Sequence, residues 1–165
     1  MNPWMNSVDI RLIENALITQ NKKHLSIFEW GAGGSTEYFT KFLVLNNISY
    51  DWISAEYNKK WYNKVKDLKI SNVSLVLFDV GNDALKQRNT NMDDYVDYPL
   101  SINKKFDFVL IDGRKRRRCL EIASKIINDD GTVVLHDAER KYYHCAFNSF
   151  SSKKFLSKTL WIGSI

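Results

Sequence analysis

The segment from Leu25 to Thr36, with the sequence LSIFEWGAGGST, determines the expected fold of this chain. An apolar run of strand length leads directly into a glycine-rich turn, and a hydroxyl-bearing pair that can begin a helix follows the turn. Glycines let the backbone bend sharply and let a ligand approach it closely. The free N–H groups of the following helix can bind an anionic group. The segment therefore predicts a strand–turn–helix unit that holds a ligand at its turn.

The pattern extends outward from this segment along the rest of the chain. Apolar runs with strand character alternate with amphipathic stretches, which predicts βαβ units and a mostly parallel sheet. We expect a Rossmann-like, doubly wound α/β fold with helices on both faces of the sheet. The 165 residues suit a single domain. Within it we expect an N-terminal helix in residues 1–24 and a Rossmann-like core over residues 25–165.

Hydrophobic periodicity sets the expected bounds of the elements. The stretch Gly81–Lys105, polar and containing Pro99, is expected to form a long loop with one short helix, and long loops in compact domains are often functional. Strands are expected at Leu25–Trp30, Tyr50–Ala55, Val73–Phe78, Phe106–Ile111, Thr132–His136 and Thr159–Gly163. Helices are expected at Asp9–Asn21, Ser35–Asn46, Lys59–Leu68, Lys115–Ile127 and Glu139–Phe147.

Composition and cysteine usage indicate a soluble protein of the cytoplasm. No apolar run is long enough to cross a bilayer, and the N-terminus lacks the basic start and apolar stretch of a secretion signal. Cys119 and Cys145 are too few for a disulfide framework, so we expect reduced thiols. The net charge of +5 permits an anionic partner without requiring one.

The glycine turn favours a ligand that carries an amino acid over one that carries a pyrophosphate. A dinucleotide site has glycines in the pattern G-x-G-x-x-G. Gly31 and Gly33 fit this pattern, but Thr36 stands at the third glycine position, which argues against an NAD-dependent enzyme. Glu29 would repel a phosphate, whereas it can accept a hydrogen bond from a ligand ammonium group. Taken alone, the turn also fits a purely structural connection.

The next two strand ends carry residues that suit a nucleoside. Ligands of open α/β sheets bind outside the carboxyl ends of the strands. There Glu56 can accept both hydroxyls of a ribose, Tyr57 can lay its ring on an adenine, and Asp79 can accept from the adenine amino group. Each also has a structural interpretation: Glu56 as a helix cap, Tyr57 as core packing, and Asp79 as a turn carboxylate before Gly81.

Taken in order, these motifs resemble those of class I methyltransferases that depend on S-adenosylmethionine (SAM). The sequence is most similar to small bacterial and viral members with an E-W-G-x-G-x-S-T turn and a terminal H-D-A-E-R. The motifs are Phe28–Thr36, Glu56, Asp79, Ile111–Arg114 and Leu135–Arg140, within a span from about Leu25 to Tyr143. The resemblance implies that Glu29, Gly31, Gly33 and Ser35 hold the methionine end of SAM, that Glu56 holds the ribose, and that Asp79 and Val80 hold the adenine.

The ends of the fourth and fifth strands carry the candidate catalytic residues. Asp112 and Asp137 end neighbouring strands, so their carboxylates can converge, and such a pair suits Mg²⁺. Catechol-type O-methyltransferases, similar at Asp112, bind a divalent metal there and have a catalytic lysine where Lys115 stands. This chain differs after the fifth strand, with His136-Asp137-Ala138 in place of Asp-Asn. His136 is the other candidate base because its unperturbed pKa lies near neutrality. Alternatively, His136 is a hydrogen-bonded strand-end residue and Asp137 caps the next helix.

We expect an O-methyltransferase that uses SAM and acts on a small-molecule or glycan acceptor. The basic block Arg114–Arg118 is either a solvated face or a grip for a phosphate-bearing acceptor, a sugar nucleotide or nucleic acid. Two alternatives therefore stay open: a nucleic-acid methyltransferase or binding module, and a SAM-binding scaffold without catalysis. The acceptor site is formed either by Asp93, Asp94, Tyr95 and Tyr98 or with a second copy of the chain in a homodimer.

Overall fold

A seven-stranded sheet forms the centre of the computed structural model, which describes residues 1–165. The order of its strands is β3-β2-β1-β4-β5-β7-β6, and helices cover both faces, which confirms the predicted Rossmann-like α/β fold. The strands are β1 (His24–Trp30), β2 (Ser49–Glu56), β3 (Val73–Leu77), β4 (Phe106–Ile111), β5 (Ile127–His136), β6 (Ser152–Phe155) and β7 (Leu160–Ser164). The α-helices are α1 (Ser7–Ile18), α2 (Gly34–Leu45), α3 (Lys59–Asp67), α4 (Ala84–Asn89), α5 (Asp93–Ser101) and α6 (Arg116–Ile126), and a 3₁₀ helix spans Lys141–Ser149.

The strand β1 lies at the middle of the sheet and is parallel to both of its neighbours, β2 and β4. The strand β5 continues the parallel set beyond β4, whereas β7 runs antiparallel between β5 and β6. The carboxyl ends of β1, β2, β4 and β5 therefore meet at one edge of the sheet, where α/β proteins bind their ligands.

Alternating side chains of β1 supply the two halves of the core. Phe28 and Trp30 belong to a cluster that includes residues of α5 and α6. Leu25 and Ile27 belong to a second cluster that includes residues of α1 and α2. Every residue of β4 is buried, as expected of a central strand covered on both faces.

The stretch Gly81–Lys105 forms two helices, α4 and α5, where the sequence predicted a loop with one short helix. Asp83 caps α4 through a hydrogen bond from the backbone N–H of Lys86 to its carboxylate (2.6 Å). Pro99 lies inside α5 and has no N–H, which leaves the carbonyl of Tyr95 without its helical partner. The indole Nε1 of Trp30 donates to that carbonyl at 3.0 Å, so a residue of β1 makes the proline tolerable there.

The C-terminal elements also differ from the prediction. The expected helix at Glu139–Phe147 is a 3₁₀ helix, and β6 was not predicted at all. All four residues of β6 are exposed, and two of them are lysines, which suits an edge strand but hides the alternating pattern of a strand. None of the helices combines the length and the apolar character that crossing a membrane requires.

Candidate active site

A cavity of about 280 Å³ lies at the carboxyl edge of the sheet, outside β1, β2, β4 and β5. Residues from the first two strand ends form one side of it, and residues from β4 and β5 form the other. Of the predicted site residues, the cavity is lined by Gly31, Gly33, Ser35, Glu56, Tyr57, Asp112, His136 and Asp137. The structure does not bring Glu29, Asp79, Val80 or Lys115 to its wall.

The glycine turn forms a backbone wall of the cavity. Gly31 has a φ of +102°, and a Cβ there would lie 2.7 Å from the backbone nitrogen of Gly113 in the turn after β4. A side chain at Gly31 is therefore excluded by both conformation and space. Gly33 has room around it, with the nearest atom of Trp61 3.9 Å from a built Cβ, so its backbone is open to a ligand.

Glu29 is completely buried beside this turn, and its carboxylate already has four donors within the protein. Oε1 accepts from the Ser35 hydroxyl (2.5 Å), and Oε2 accepts from Thr36 (2.6 Å), Ser54 (2.6 Å) and the Trp52 indole (3.0 Å). Burial raises the pKa of Glu29, although these hydrogen bonds oppose the rise. The predicted contact with a ligand ammonium group is at odds with this geometry. Glu29 instead ties the start of α2 to the neighbouring strands β1 and β2.

Glu56 ends β2 and faces the cavity while only 2% exposed. Its Oε1 accepts from the backbone N–H of Asn58 at 2.7 Å. Burial raises the pKa of Glu56 to about 8, and the nearby charge of Glu29 adds to the rise. Tyr57 follows it in the wall, with its ring edge-on to Tyr95 (5.8 Å between centroids). A carboxyl group and an aromatic ring thus stand side by side, as the nucleoside hypothesis requires.

Asp79 and Val80 follow β3 and lie outside the cavity. Asp79 is exposed, and its Oδ1 accepts from the backbone N–H of Gly81 at 2.9 Å, which is the turn role that the sequence offered as its alternative. The backbone N–H of Val80 donates to the carbonyl of Tyr57 (3.3 Å), so this turn lies next to the cavity wall. Their contact with an adenine stays a prediction.

Asp112 and His136 form a hydrogen-bonded pair at the ends of β4 and β5. His136 Nδ1 lies 2.9 Å from Asp112 Oδ1 and 3.8 Å from Asp137 Oδ1. Burial lowers the pKa of His136, but the hydrogen bond and charge of Asp112 and the charge of Asp137 outweigh it, so the pKa is raised overall. The arrangement therefore favours the imidazolium form.

Arg116, in the first turn of α6, bridges the carboxylates of Asp112 and Asp137. Its guanidinium lies 3.2 Å from Asp112 Oδ1 and 3.1 Å from Asp137 Oδ2. It also donates to the carbonyls of Gly113 (2.8 Å) and His136. The sequence placed Arg116 only within a basic block, and nothing in that block distinguishes it from its neighbours.

The cluster was predicted to hold Mg²⁺ through Asp112 and Asp137. Potential ligand atoms of Asp112, His136 and Asp137 do lie within 4.8 Å of one another. However, the guanidinium of Arg116 contacts both carboxylates, and Mg²⁺ requires oxygen ligands at about 2.1 Å in near-octahedral geometry. Arg116 therefore already supplies a positive charge between these carboxylates, and a metal ion would have to compete with its guanidinium. The Mg²⁺ site stays a prediction.

Lys115 does not reach the cluster, contrary to its predicted catalytic role. It precedes α6 with a φ of 55°, and its Nζ donates to the carbonyl of Arg88 at 2.7 Å. The left-handed turn at Lys115 directs the chain so that the next residue, Arg116, takes the position beside Asp112.

Asp9 of α1 supports the cluster from the interior, a role that the sequence did not reveal. Its carboxylate is fully buried, lies 3.7 Å from His136 Nε2, and accepts from Asn6, Ser157 and Thr159. His136 is thus held between Asp112 on its cavity side and Asp9 behind it. More than a hundred residues separate Asp9 from His136, and no local motif connects them.

Two tryptophans form the rim of the cavity and were also missed. Trp4 and Trp61 meet edge to face, with 5.2 Å between ring centroids. Trp4 is 81% exposed, an unusual position for so large an apolar ring. The segment before it packs against Gly34, and the terminal amino group pairs with Glu37. The N-terminus therefore lies across the glycine turn.

No protein-family model matches this sequence, and no curated protein matches it. Solved structures do resemble the fold. A methyltransferase-like protein from Silicibacter pomeroyi superposes with a TM-score of 0.69 at 17% identity, over 99% of this chain and 88% of that one. Precorrin-6y C5,15-methyltransferase from Geobacter metallireducens gives a TM-score of 0.60 at 14% identity, over 98% and 90% of the two chains.

A third resemblance is to MycE, a methyltransferase of the mycinamycin biosynthetic pathway, whose structure contains Mg, S-adenosylhomocysteine (SAH) and mycinamycin VI. The TM-score is 0.62 at 12% identity, and 99% of this chain spans 48% of the MycE chain. At identities this low, these superpositions show a shared fold and nothing more. The Rossmann-like fold of this chain is the one found in these methyltransferases.

Proposed function

We propose that this chain is a SAM-dependent methyltransferase that transfers a methyl group to a hydroxyl of a small-molecule or glycan acceptor. One observation carries the proposal: a single cavity joins a nucleoside-type half, with the glycine turn, Glu56 and Tyr57, to a proton-handling half, with Asp112 and His136. The fold shared with methyltransferases supports it.

The residues of the first half fit SAM. The open backbone at Gly33 suits a close-lying ligand, and the Glu56 carboxyl group suits the two hydroxyls of a ribose. Tyr57 offers an aromatic face beside Glu56 for a base. When bound, SAM supplies a methyl group that is activated by its attachment to a sulfonium sulfur.

The second half provides for the proton of the acceptor. Both side-chain contacts of Asp112 use Oδ1, and Oδ2 makes no hydrogen bond to the protein. We assign Asp112 Oδ2 as the atom that accepts the hydrogen bond of the acceptor hydroxyl and takes its proton. His136 and Arg116 hold the carboxylate in place, and Asp9 holds His136. His136 is therefore a positioning residue in this scheme.

Trp4 and Trp61 stand at the mouth of the cavity, and a ligand that displaced water from it would strengthen the electrostatic interactions of Asp112 and Glu56.

The proposal is tested by two measurements on the same protein. Calorimetry measures SAH binding, and transfer of labelled methyl from SAM measures turnover against a panel of sugars, sugar nucleotides and phenols. We expect SAH to bind in the micromolar range and the label to appear as a methyl ether on one acceptor class. Asp112→Asn is expected to reduce kcat by at least 100-fold while leaving SAH affinity within threefold.

The matched control is Asp67→Asn, which makes the same change on an exposed residue at the end of α3 and is expected to keep full turnover. Failure of SAH to bind would reject the cofactor assignment. SAH binding without methylation of any acceptor would instead support the scaffold without catalysis, and full activity of Asp112→Asn would remove Asp112 from the mechanism.

A further inference from the structure

A second cavity, of about 670 Å³, opens beside the first one. It lies where the start of α6, the end of α4 and the turn after β5 come together, and we call it the basic groove. Arg114 lines both cavities, so the groove adjoins the candidate active site. Six positively charged side chains and no carboxylate line the groove: Arg88, Arg114, Lys115, Arg117, Arg118 and Arg140.

The arginines of this chain are concentrated at this one place. The sequence has seven arginines and seventeen lysines. Five of the seven arginines line the groove, a sixth is Arg116 in the adjoining active site, and only Arg11 lies elsewhere. The lysines are scattered along the chain. Arginine binds phosphate with a planar, bidentate set of donors, whereas lysine acts as a point charge. The distribution therefore points to recognition of an anion rather than to a generally solvated surface.

Most of this charge has no partner within the protein. Arg118 pairs with Asp93 (2.6 Å), and Arg140 pairs with Asp137 (3.3 Å). Arg88, Arg114 and Arg117 form no ion pair. In addition, the Nε of Arg114 is buried and has no hydrogen-bond partner, which is costly unless a ligand supplies one.

The position of these charges on α6 opposes the stability of the helix. The basic residues Lys115 to Arg118 stand at its N-terminus, where the helix dipole disfavours positive charge, and no side chain caps this end. A bound anion would relieve both this repulsion and the mutual repulsion of the guanidinium groups. Because these basic residues destabilise the helix that carries them, their presence indicates a function.

The groove is partly organised before any ligand arrives. Lys115 donates to the carbonyl of Arg88 (2.7 Å), and Arg118 donates to the carbonyl of Asn91 (2.9 Å). These bonds fasten the end of α4 to the start of α6, which fixes the distance between the two walls. The volume lies within the range of sites for small molecules, about 300–1,000 Å³.

We propose that the basic groove binds the phosphoryl group of a small phosphorylated acceptor whose hydroxyl lies in the adjoining active site. The binding of an organic phosphate follows from the groove alone, and its assignment as the methyl acceptor rests on the proposed function. The size of the groove favours a small organic phosphate over a nucleic acid.

The test compares uridine diphosphate with uridine by calorimetry at low salt in a buffer free of phosphate. We expect uridine diphosphate to bind at least tenfold more tightly than uridine to the wild-type protein, with an affinity that falls as salt is added. The double variant Arg88→Gln/Arg117→Gln changes two exposed groove residues that take no part in the first cavity. It is expected to weaken uridine diphosphate binding at least tenfold.

The control is Arg11→Gln/Lys154→Gln, which removes the same charge from exposed positions outside the groove and is expected to bind as the wild type does. Equal binding of uridine diphosphate and uridine, or an equal loss in both double variants, would overturn the proposal. Tighter binding of a twelve-nucleotide RNA than of uridine diphosphate would also overturn it, in favour of nucleic acid. SAH affinity is measured on the same samples and tests the proposed function separately, because Glu56 and the rest of the proposed ribose site lie outside the groove.

Discussion

The raised pKa of Glu56 predicts that binding of the proposed cofactor depends on pH. With a pKa of about 8, the carboxyl group of the free protein is mostly protonated at pH 7. An ionised carboxylate accepts hydrogen bonds from both hydroxyls of a ribose, and a protonated one keeps a donor of its own. If only the ionised form of Glu56 binds the ribose, the free energy of removing its proton reduces the observed affinity.

The size of the effect follows from this pKa. The ionised share is about 1% at pH 6 and about 50% at pH 8, so SAH should bind about 50-fold more tightly at pH 8 than at pH 6. Above pH 8 affinity should rise at most about twofold further before it becomes level. Glu56→Gln has no group to titrate at this position and should bind weakly, with affinity that changes less than threefold over the same range.

Calorimetry with SAH at half-unit steps from pH 6 to pH 9 measures this profile for both proteins. The pH dependence of thermal unfolding measures the ionisation of Glu56 independently of ligand binding. A carboxyl group whose pKa is higher in the folded state than its usual 4.5 holds its proton more tightly there, so stability is full below pH 4.5 and falls as pH rises toward 8. The fall is at most about 5 kcal/mol, and Glu56→Gln should lack it. Parallel pH profiles of the two proteins, in binding and in stability, would refute this role of Glu56.

Two further predictions concern the charge cluster and the glycine turn. Arg116→Ala removes the guanidinium between Asp112 and Asp137 and should lower the free energy of unfolding by about 3 kcal/mol. Added Mg²⁺ should raise the melting temperature of this variant and not that of the wild type. An equal rise in both would show that Mg²⁺ binds without displacing the Arg116 guanidinium. Gly31→Ala should destabilise the protein by about 2 kcal/mol more than Gly81→Ala in urea unfolding, because both positions have positive φ but only Gly31 would bring its Cβ against backbone. Equal losses in the two variants would show that the contact with the turn after β4 is unimportant.

The sequence was sufficient to predict six of the seven strands and the site residues that stand directly at strand ends. The alternation of apolar runs located the strands, and the parallel order then brought Glu56, Asp112 and His136 to one edge. These residues directly follow or end strands, so their positions depend on the backbone alone. Residues whose role depends on side-chain direction were harder to predict.

Glu29 and Arg116 illustrate this difficulty. Glu29 shares a face of β1 with Ile27, and alternation places that face opposite to Trp30, but the sequence does not tell which face the cavity opens on. Arg116 is one of five consecutive basic residues. Its inward position results from the left-handed backbone at Lys115, with a φ of 55°, a conformation that lysine does not signal.

The two cavities differ in their charged groups: acidic and basic side chains both line the first one, whereas no carboxylate lines the basic groove. The wall of the first cavity contains Glu56, Asp112 and Asp137 together with Arg114, Arg116 and His136, and Arg140 also pairs with Asp137. The basic groove is positive and suits an anionic acceptor. Arg114 marks the boundary between them, with its guanidinium 5.9 Å from the Tyr57 ring. An anionic acceptor would thus be attracted to the groove, and a cationic methyl donor would be repelled from it. The charge of the groove would therefore help to keep the two proposed ligands on separate sides of Arg114.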